Sequence, residues 1–224
     1  MRQIEPEPSR WQLPDPLLAS EGTDLIAAGS TIEPALALAG YRQGLFAMPI
    51  SEDLVGWFSP DPRGVLPLDG LHISRSLRRA IRRYRISVDT AFDEVVAACA
   101  DSQREGHWIA PDFEDCYREL HHMGWAHSIE VWDPDGVLAG GLFGVEVAGL
   151  FSGESMFHRG RDASKVAVVA LVQRLLEAGG DRLLDVQWST PHLETLGVVA
   201  ISRRDYVAWL RRVGDETPAF EPRA

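Results

Sequence analysis

The 224-residue chain has no run of about 18 consecutive apolar residues, the least a bilayer-crossing helix needs, so no membrane partner is expected. It has only two cysteines, Cys99 and Cys116, in unrelated segments, which excludes both a disulfide framework and a zinc-thiolate cluster. Lysine is almost absent: of 22 basic residues all but Lys165 are arginine. Met1 to Pro16 is charged and proline-rich and lacks the basic flank and apolar core of a secretory signal, so a reducing cytoplasm is the expected setting. A net charge of −11 argues against coating nucleic acid through bulk charge, and any RNA contact must therefore be local. What is present, 45% hydrophobic and 25% charged residues, is the balance of a folded globular chain.

The organisation follows from the punctuation. The first sixty residues read as short elements broken by proline, with a helix over 31–42 and a strand over 55–59. Pro60-Asp61-Pro62 restricts the backbone and marks a boundary, giving a small N-terminal domain at 1–62 and a larger one at 63–224. Helices are expected over 75–84, 90–100 (with Thr90 and Asp93 spaced as a capping box) and 112–123, closed by Gly124. From Ala126 the pattern turns to an antiparallel meander: 128–132, a turn at Asp133-Pro134-Asp135-Gly136, then 137–147 and 150–156. A helix over 163–178 follows, with Asp162 as its N-cap and Gly179-Gly180 as its stop, then a strand over 182–187 and helices over 190–196 and 203–212. This order predicts an α+β fold with a mixed, largely antiparallel sheet.

Several residues could carry chemistry. Arg75, Arg78, Arg79, Arg82 and Arg83 recur at helical spacing opposite an apolar stripe of Leu77, Ile81 and Tyr84. No acidic residue lies between Gly70 and Val88, so these guanidinium groups either reach phosphate oxygens or pair with carboxylates distant in sequence. Asp185 and Gln187, two apart on a strand, leave the same face, either as a structural hydrogen-bonding pair or with the carboxylate orienting the amide so that the pair accepts from an attacking amine. Glu154 is flanked by apolar residues and needs a donor or cation: a substrate ammonium, or Arg159 or Lys165. Phe143, Phe151, Met156 and Phe157 either wall a pocket or pack the core, and not all can line one cavity. Trp108 can stack on a base or fill the core. Gly140-Gly141-Leu142-Phe143-Gly144 lies within the meander, so it marks tight backbone packing rather than dinucleotide binding. His121, His122 and His127 make no metal set, and no metal is expected.

In order along the chain, Tyr41-Arg42-Gln43-Gly44-Leu45-Phe46, Trp57-Phe58-Ser59-Pro60-Asp61-Pro62-Arg63, His72-Ile73-Ser74-Arg75-Ser76-Leu77-Arg78, Gly153-Glu154-Ser155-Met156-Phe157 with Ala163-Ser164-Lys165, and Asp185-Val186-Gln187 through His192-Leu193 and Leu196-Gly197 resemble the leucyl/phenylalanyl-tRNA–protein transferase family. Ser152 and Val186 stand where that family often has cysteine. The resemblance implies a GNAT-like acyltransferase domain that works without acetyl-CoA or any other cofactor. Its donor would be tRNA charged with Leu or Phe, and less readily Met. Its acceptor would be a protein with N-terminal Arg or Lys, thereby marked for N-end-rule degradation, and the enzyme would act as a monomer. Asp185 and Gln187 would then assist amine attack, and Glu154 would hold the aminoacyl end. Trp108 would contact the terminal adenosine, with Leu142, Ser155, Met156, Phe157 and Leu171 around the aminoacyl group. The arginines Arg75, Arg78, Arg79, Arg82 and Arg83 would track the acceptor stem. The competing expectations are an acyl-CoA-dependent N-acyltransferase, disfavoured by the single glycine in Arg159-Gly160-Arg161-Asp162-Ala163-Ser164-Lys165, and a non-enzymatic RNA-binding adaptor.

Overall fold

A computed structural model describes residues 3–104 and 107–220. Strands β1 (Leu25–Gly29), β2 (Phe46–Ser51) and β3 (Leu54–Phe58) form a three-stranded antiparallel sheet in the order β1-β3-β2. Helix α1 (Pro34–Gln43) starts with proline in its first turn, where a missing N–H costs nothing, and stops at Gly44, whose φ of 89° suits glycine alone. It lies tight against β3, because a Cβ on Gly40 would stand 2.8 Å from the Trp57 ring.

A larger sheet begins at Arg63. It contains β4 (Arg63–Val65), β5 (Arg85–Val88), β6 (Ala126–Trp132), β7 (Leu138–Val147), β8 (Leu150–His158), β9 (Leu183–Gln187) and β10 (Val199–Ile201), in the order β10-β4-β9-β8-β7-β6-β5. Every neighbouring pair is antiparallel except β8 and β9. A parallel pair needs a crossover, and α5 (Ala163–Ala178) supplies it. One face of this sheet packs on α5 and α2 (Arg75–Ile81) through Val131, Leu142, Phe151, Leu171 and Leu184. The other packs on α1, α3 (Phe92–Ala100), α4 (Pro111–His122), α7 (Arg203–Arg212) and the first sheet through Leu38, Trp57, Phe113, Phe143 and Tyr206. The short α6 (Pro191–Glu194) is capped by the Thr190 hydroxyl. No described helix is long and apolar enough to cross a membrane.

Local expectations fail where tertiary contacts take over a side chain. Thr90 does not cap α3; its hydroxyl donates to buried Glu130 instead, and α3 starts at Phe92 with no side-chain cap. Asp162 occupies the N-cap position of α5 in the left-handed region, φ 62°, and its carboxylate makes no cap bond. Helix α2 ends at Ile81 rather than Tyr84, which leaves Arg82 and Arg83 in the turn beyond it. The short strands β1, β2, β4 and β10 have no clear alternation in the sequence.

Two irregularities shape the centre of the sheet. The parallel ladder runs through Leu150↔Leu183, Phe151↔Leu184 and Ser152↔Asp185 and then stops, although β8 continues to His158 and β9 to Gln187. Past Ser152 the two strands part. On the other side of β8, Gly144 pairs with Gly153 and Phe143 with Ser155, so Glu154 is the unopposed residue of a β-bulge, a feature that re-aims side chains next to active sites. Glycine is required opposite it, since a Cβ on Gly144 would run into the Ser152 carbonyl oxygen. The glycines at 140 and 141 are equally confined, with Cβ positions 2.7 Å from Ala163 and 2.8 Å from the Ile129 carbonyl.

Candidate active site

Where β8 and β9 part, the structure brings Glu154, Asp185 and Gln187 together around one hydroxyl, that of Ser152. The Gln187 amide nitrogen donates to Ser152 Oγ at 2.9 Å, Ser152 Oγ donates to Glu154 Oε1 at 2.9 Å, and Asp185 Oδ2 lies 3.4 Å from the same oxygen. Gln187 ends its strand with φ 60°, a strained region for a side chain with a Cβ and one that recurs at functional sites. With its Nε2 engaged, its amide oxygen takes no hydrogen bond among the described residues, and the residue lines the cleft.

Asp185 is fully buried and saturated. Arg63 grips it bidentately, Nε to Oδ1 at 2.8 Å and Nη2 to Oδ2 at 2.5 Å, the Tyr206 hydroxyl donates to Oδ2 at 3.0 Å, and the Gln187 backbone N–H donates to Oδ1 at 2.9 Å. Arg63 is itself 1% exposed, donates to the Gly44 carbonyl and lies over the Phe46 and Tyr206 rings, with the Asp185 charge holding it protonated. A carboxylate with this set of donors has little capacity left for a substrate. It orients Gln187 through the backbone N–H and through Ser152.

Glu154 has the opposite environment. Its partners are hydroxyls, Tyr117 at 2.7 Å and Ser152, with the Tyr41 hydroxyl beside it. Neither Arg159 nor Lys165 serves as its counter-ion: Arg159 reaches the Leu138 carbonyl and the Phe157 ring, and no described cation bonds to Glu154. Burial pushes its carboxyl from 4.5 up to about 7, the Asp185 charge adds to the rise, and the hydroxyls hold it back. Because the folded pKa lies above the unfolded one, stability from this group is full below about pH 4.5 and is lost as pH rises through about 7. Glu154→Gln should therefore unfold later than wild type above about pH 8, by up to about 3 kcal/mol, and show no advantage near pH 4. Urea midpoints at the two pH values test this; an unchanged difference between them contradicts it.

The opposite side of the parted strands opens into a cavity of about 180 Å³. Leu142, Met156, Leu171, Val168, Leu184 and Leu196 wall it, and Glu154, Ser155 and Gln187 stand at its polar end. An apolar cavity of about 150 Å³ holds a benzene ring, so one leucyl or benzyl side chain fits. Val168→Phe should fill part of it and weaken binding of a benzyl-bearing ligand about tenfold or more relative to an isobutyl-bearing one, as read from competition between the two; equal losses would contradict the assignment of these walls.

Of the residues expected around the aminoacyl group, Leu142, Ser155, Met156 and Leu171 line this cavity. Phe157 does not: the bulge at Glu154 reverses the alternation, so Met156 joins Phe151 on the cavity face and Phe157 packs on the opposite face. Phe143 and Phe151 are likewise core residues. Trp108 is half-buried outside the cavity, edge-on to Phe113 and Tyr117 and thus one ring from Glu154. The five arginines from Arg75 to Arg83 are all exposed, and no ion pair among the described residues involves them, which removes the distant-carboxylate alternative. Sequence reasoning missed Arg63, Tyr41, Tyr117, Tyr206 and Ser152 as members of the polar network. Arg63, Tyr41 and Ser152 were in or beside the recognised motifs, but nothing local tied them to Glu154 or Asp185.

The family model described as leucyl/phenylalanyl-tRNA protein transferase matches residues 65–211, which carry Glu154, Asp185, Gln187 and all the cavity walls. The chain belongs to this family. Curated leucyl/phenylalanyl-tRNA–protein transferases resemble it over most of their length. That of Herpetosiphon aurantiacus is 51% identical over 78% of this chain and 91% of its own, and that of Stutzerimonas stutzeri 46% identical over 91% of each. That of Rhizorhabdus wittichii is 52% identical over 80% of this chain and 74% of its own. Among solved structures, L-PGS from Bacillus licheniformis aligns at 15% identity with a TM-score of 0.40, over 69% of this chain and 65% of its own. As a leucyl/phenylalanyl-tRNA–protein transferase family member, the chain is a transferase.

Proposed function

We propose that this protein transfers leucine or phenylalanine, and less readily methionine, from the 3′ ester of aminoacyl-tRNA to the N-terminal amine of proteins beginning with Arg or Lys, and so marks them for N-end-rule degradation in the cytoplasm. The observation that carries the reading is the junction itself. An aliphatic cavity sized for one such side chain opens onto a buried carboxyl that has no counter-cation, and an amide oxygen that has no donor, among the described residues. Residues 63–224 then serve as a GNAT-like transfer domain whose parted strands hold the donor, with 1–62 as a small N-terminal domain and a monomer as the working unit.

In this reading the donor side chain enters the cavity, a burial worth about 1.5–3 kcal/mol. Its α-ammonium pairs with Glu154, whose carboxyl gains the cation it lacks. Trp108, beyond Tyr117, contacts the terminal adenosine, and the arginines of α2 contact acceptor-stem phosphates. The acceptor amine attacks the ester carbonyl while one of its N–H groups donates to Gln187 Oε1. A C–N bond forms, the C–O bond to the ribose breaks, and the proton shed by the amine ends on the departing 3′ hydroxyl. The ester is already activated, so alignment and a deprotonated amine suffice without a covalent nucleophile.

The test is incubation of the protein with tRNA charged with labelled leucine or phenylalanine, a peptide beginning with Arg, and acetyl-CoA as a competing donor. Labelled peptide is the expected product. Acetylated peptide with no amino-acid transfer would replace this reading with an acyl-CoA-dependent one.

A further inference from the structure

The basic surface does not end with α2. Two neighbouring grooves share Arg83 and Tyr84: one is lined by Arg82, Arg159 and Gly160, the other by Arg79, Arg161 and Asp162. The Tyr84 hydroxyl donates to the Arg161 carbonyl at 2.9 Å and thereby fixes the β8–α5 turn against the end of α2. Five guanidinium groups from two segments more than seventy residues apart in sequence thus surround one tyrosine. All five are exposed, and the nearby carboxylates do little to neutralise them. Asp133 accepts two backbone N–H groups of its own turn, and Asp162 stands 3.8 Å from Arg161, whose side chain is 90% exposed. In a chain of net charge −11 this concentration of exposed arginine fits a polyanion with regularly spaced charges.

We propose that Arg159 and Arg161 belong to the RNA-binding surface, forming with Arg79, Arg82 and Arg83 a single phosphate-contacting ridge around Tyr84 for the backbone of the donor tRNA. The inference rests on the donor being tRNA, as argued above. It adds a mechanical link, because Arg159 follows directly on β8, the strand that carries Ser152 and Glu154. RNA held on the ridge is held by the same strand that forms one wall of the cleft.

The experiment compares the salt dependence of charged-tRNA binding for wild type, the pair Arg159→Ala with Arg161→Ala, and a control pair, Arg204→Ala with Arg211→Ala, exposed on α7. Transfer from a minimal donor, leucine esterified to adenosine alone, is measured in parallel. The ridge variant should lose about tenfold or more in tRNA affinity at low salt, and its log–log salt slope should fall by about 2, roughly one per lost phosphate contact. Its minimal-donor transfer should be unchanged, and the control pair should keep the wild-type slope. A slope unchanged in the ridge variant, or one lowered equally in the control, overturns the proposal, as does minimal-donor transfer that falls with tRNA affinity. Wild-type transfer failing with both donors would instead remove the functional reading on which it rests.

Discussion

Arg63→Met should lower folding stability by about 3–5 kcal/mol and abolish transfer. The substitution keeps most of the apolar stem among Phe46 and Tyr206 but leaves the fully buried Asp185 without its guanidinium partner, the costly half of a broken ion pair. Arg63→Lys should not restore the wild type, since an ammonium cannot bond both carboxylate oxygens in the fork geometry and reach Gly44 as well. Combining Arg63→Met with Asp185→Leu removes both charges and should recover much of the stability, while transfer stays lost because the Gln187 backbone N–H then loses its acceptor and Ser152 one of its three partners. Urea unfolding beside single-turnover rates separates the two effects. A single variant costing less than about 1 kcal/mol, or a double variant that regains transfer, would show that the pair does not serve the site.

Gln187→Gly should reduce the transfer rate by about 10²–10³-fold, in the range of a lost transition-state hydrogen bond, while leaving stability within about 1 kcal/mol of wild type. Removing the side chain costs its hydrogen bond to Ser152. Glycine, however, accepts the φ of 60° that strains any residue with a Cβ, and the two effects offset. Donor binding, judged from retention of a non-transferable leucyl-adenosine analogue, should persist because the cavity walls are untouched. A variant that keeps its rate would mean that the amide is not at the reacting centre. One that loses donor binding and rate together would make it a binding group only.

Much of this molecule is readable from local pattern. Helices α5 and α7 span the residues expected of them, and the two-residue spacing of Asp185 and Gln187 does place both against Ser152. The cavity walls from β7, β8 and α5 were partly legible through Leu142, Met156 and Leu171. What stayed hidden depends on distance or on irregularity. The partner that decides the state of Asp185 is Arg63, 122 residues away, and Glu154 is met by Tyr117 across a helix–sheet contact with no sequence signature. The cavity wall from Val168, Leu193, Leu196 and Val198 reads simply as core. Strict strand alternation admits only one of Met156 and Phe157 to the cavity, and the bulge at Glu154, invisible in composition, decides for Met156. Thr90 and Asp162 show the same limit at helix starts, where tertiary hydrogen bonds or an unusual backbone displaced an expected cap.

The central claim is that aminoacyl transfer occurs where β8 and β9 part, and a crystal structure with the 3′-amide analogue of leucyl-adenosine tests it most directly. The leucyl side chain is predicted between Leu142, Val168 and Leu171, with its α-ammonium within hydrogen-bond reach of Glu154 and its carbonyl beside Gln187. The analogue bound elsewhere with this cavity empty, or seated here with its carbonyl turned away from Gln187, would contradict the account.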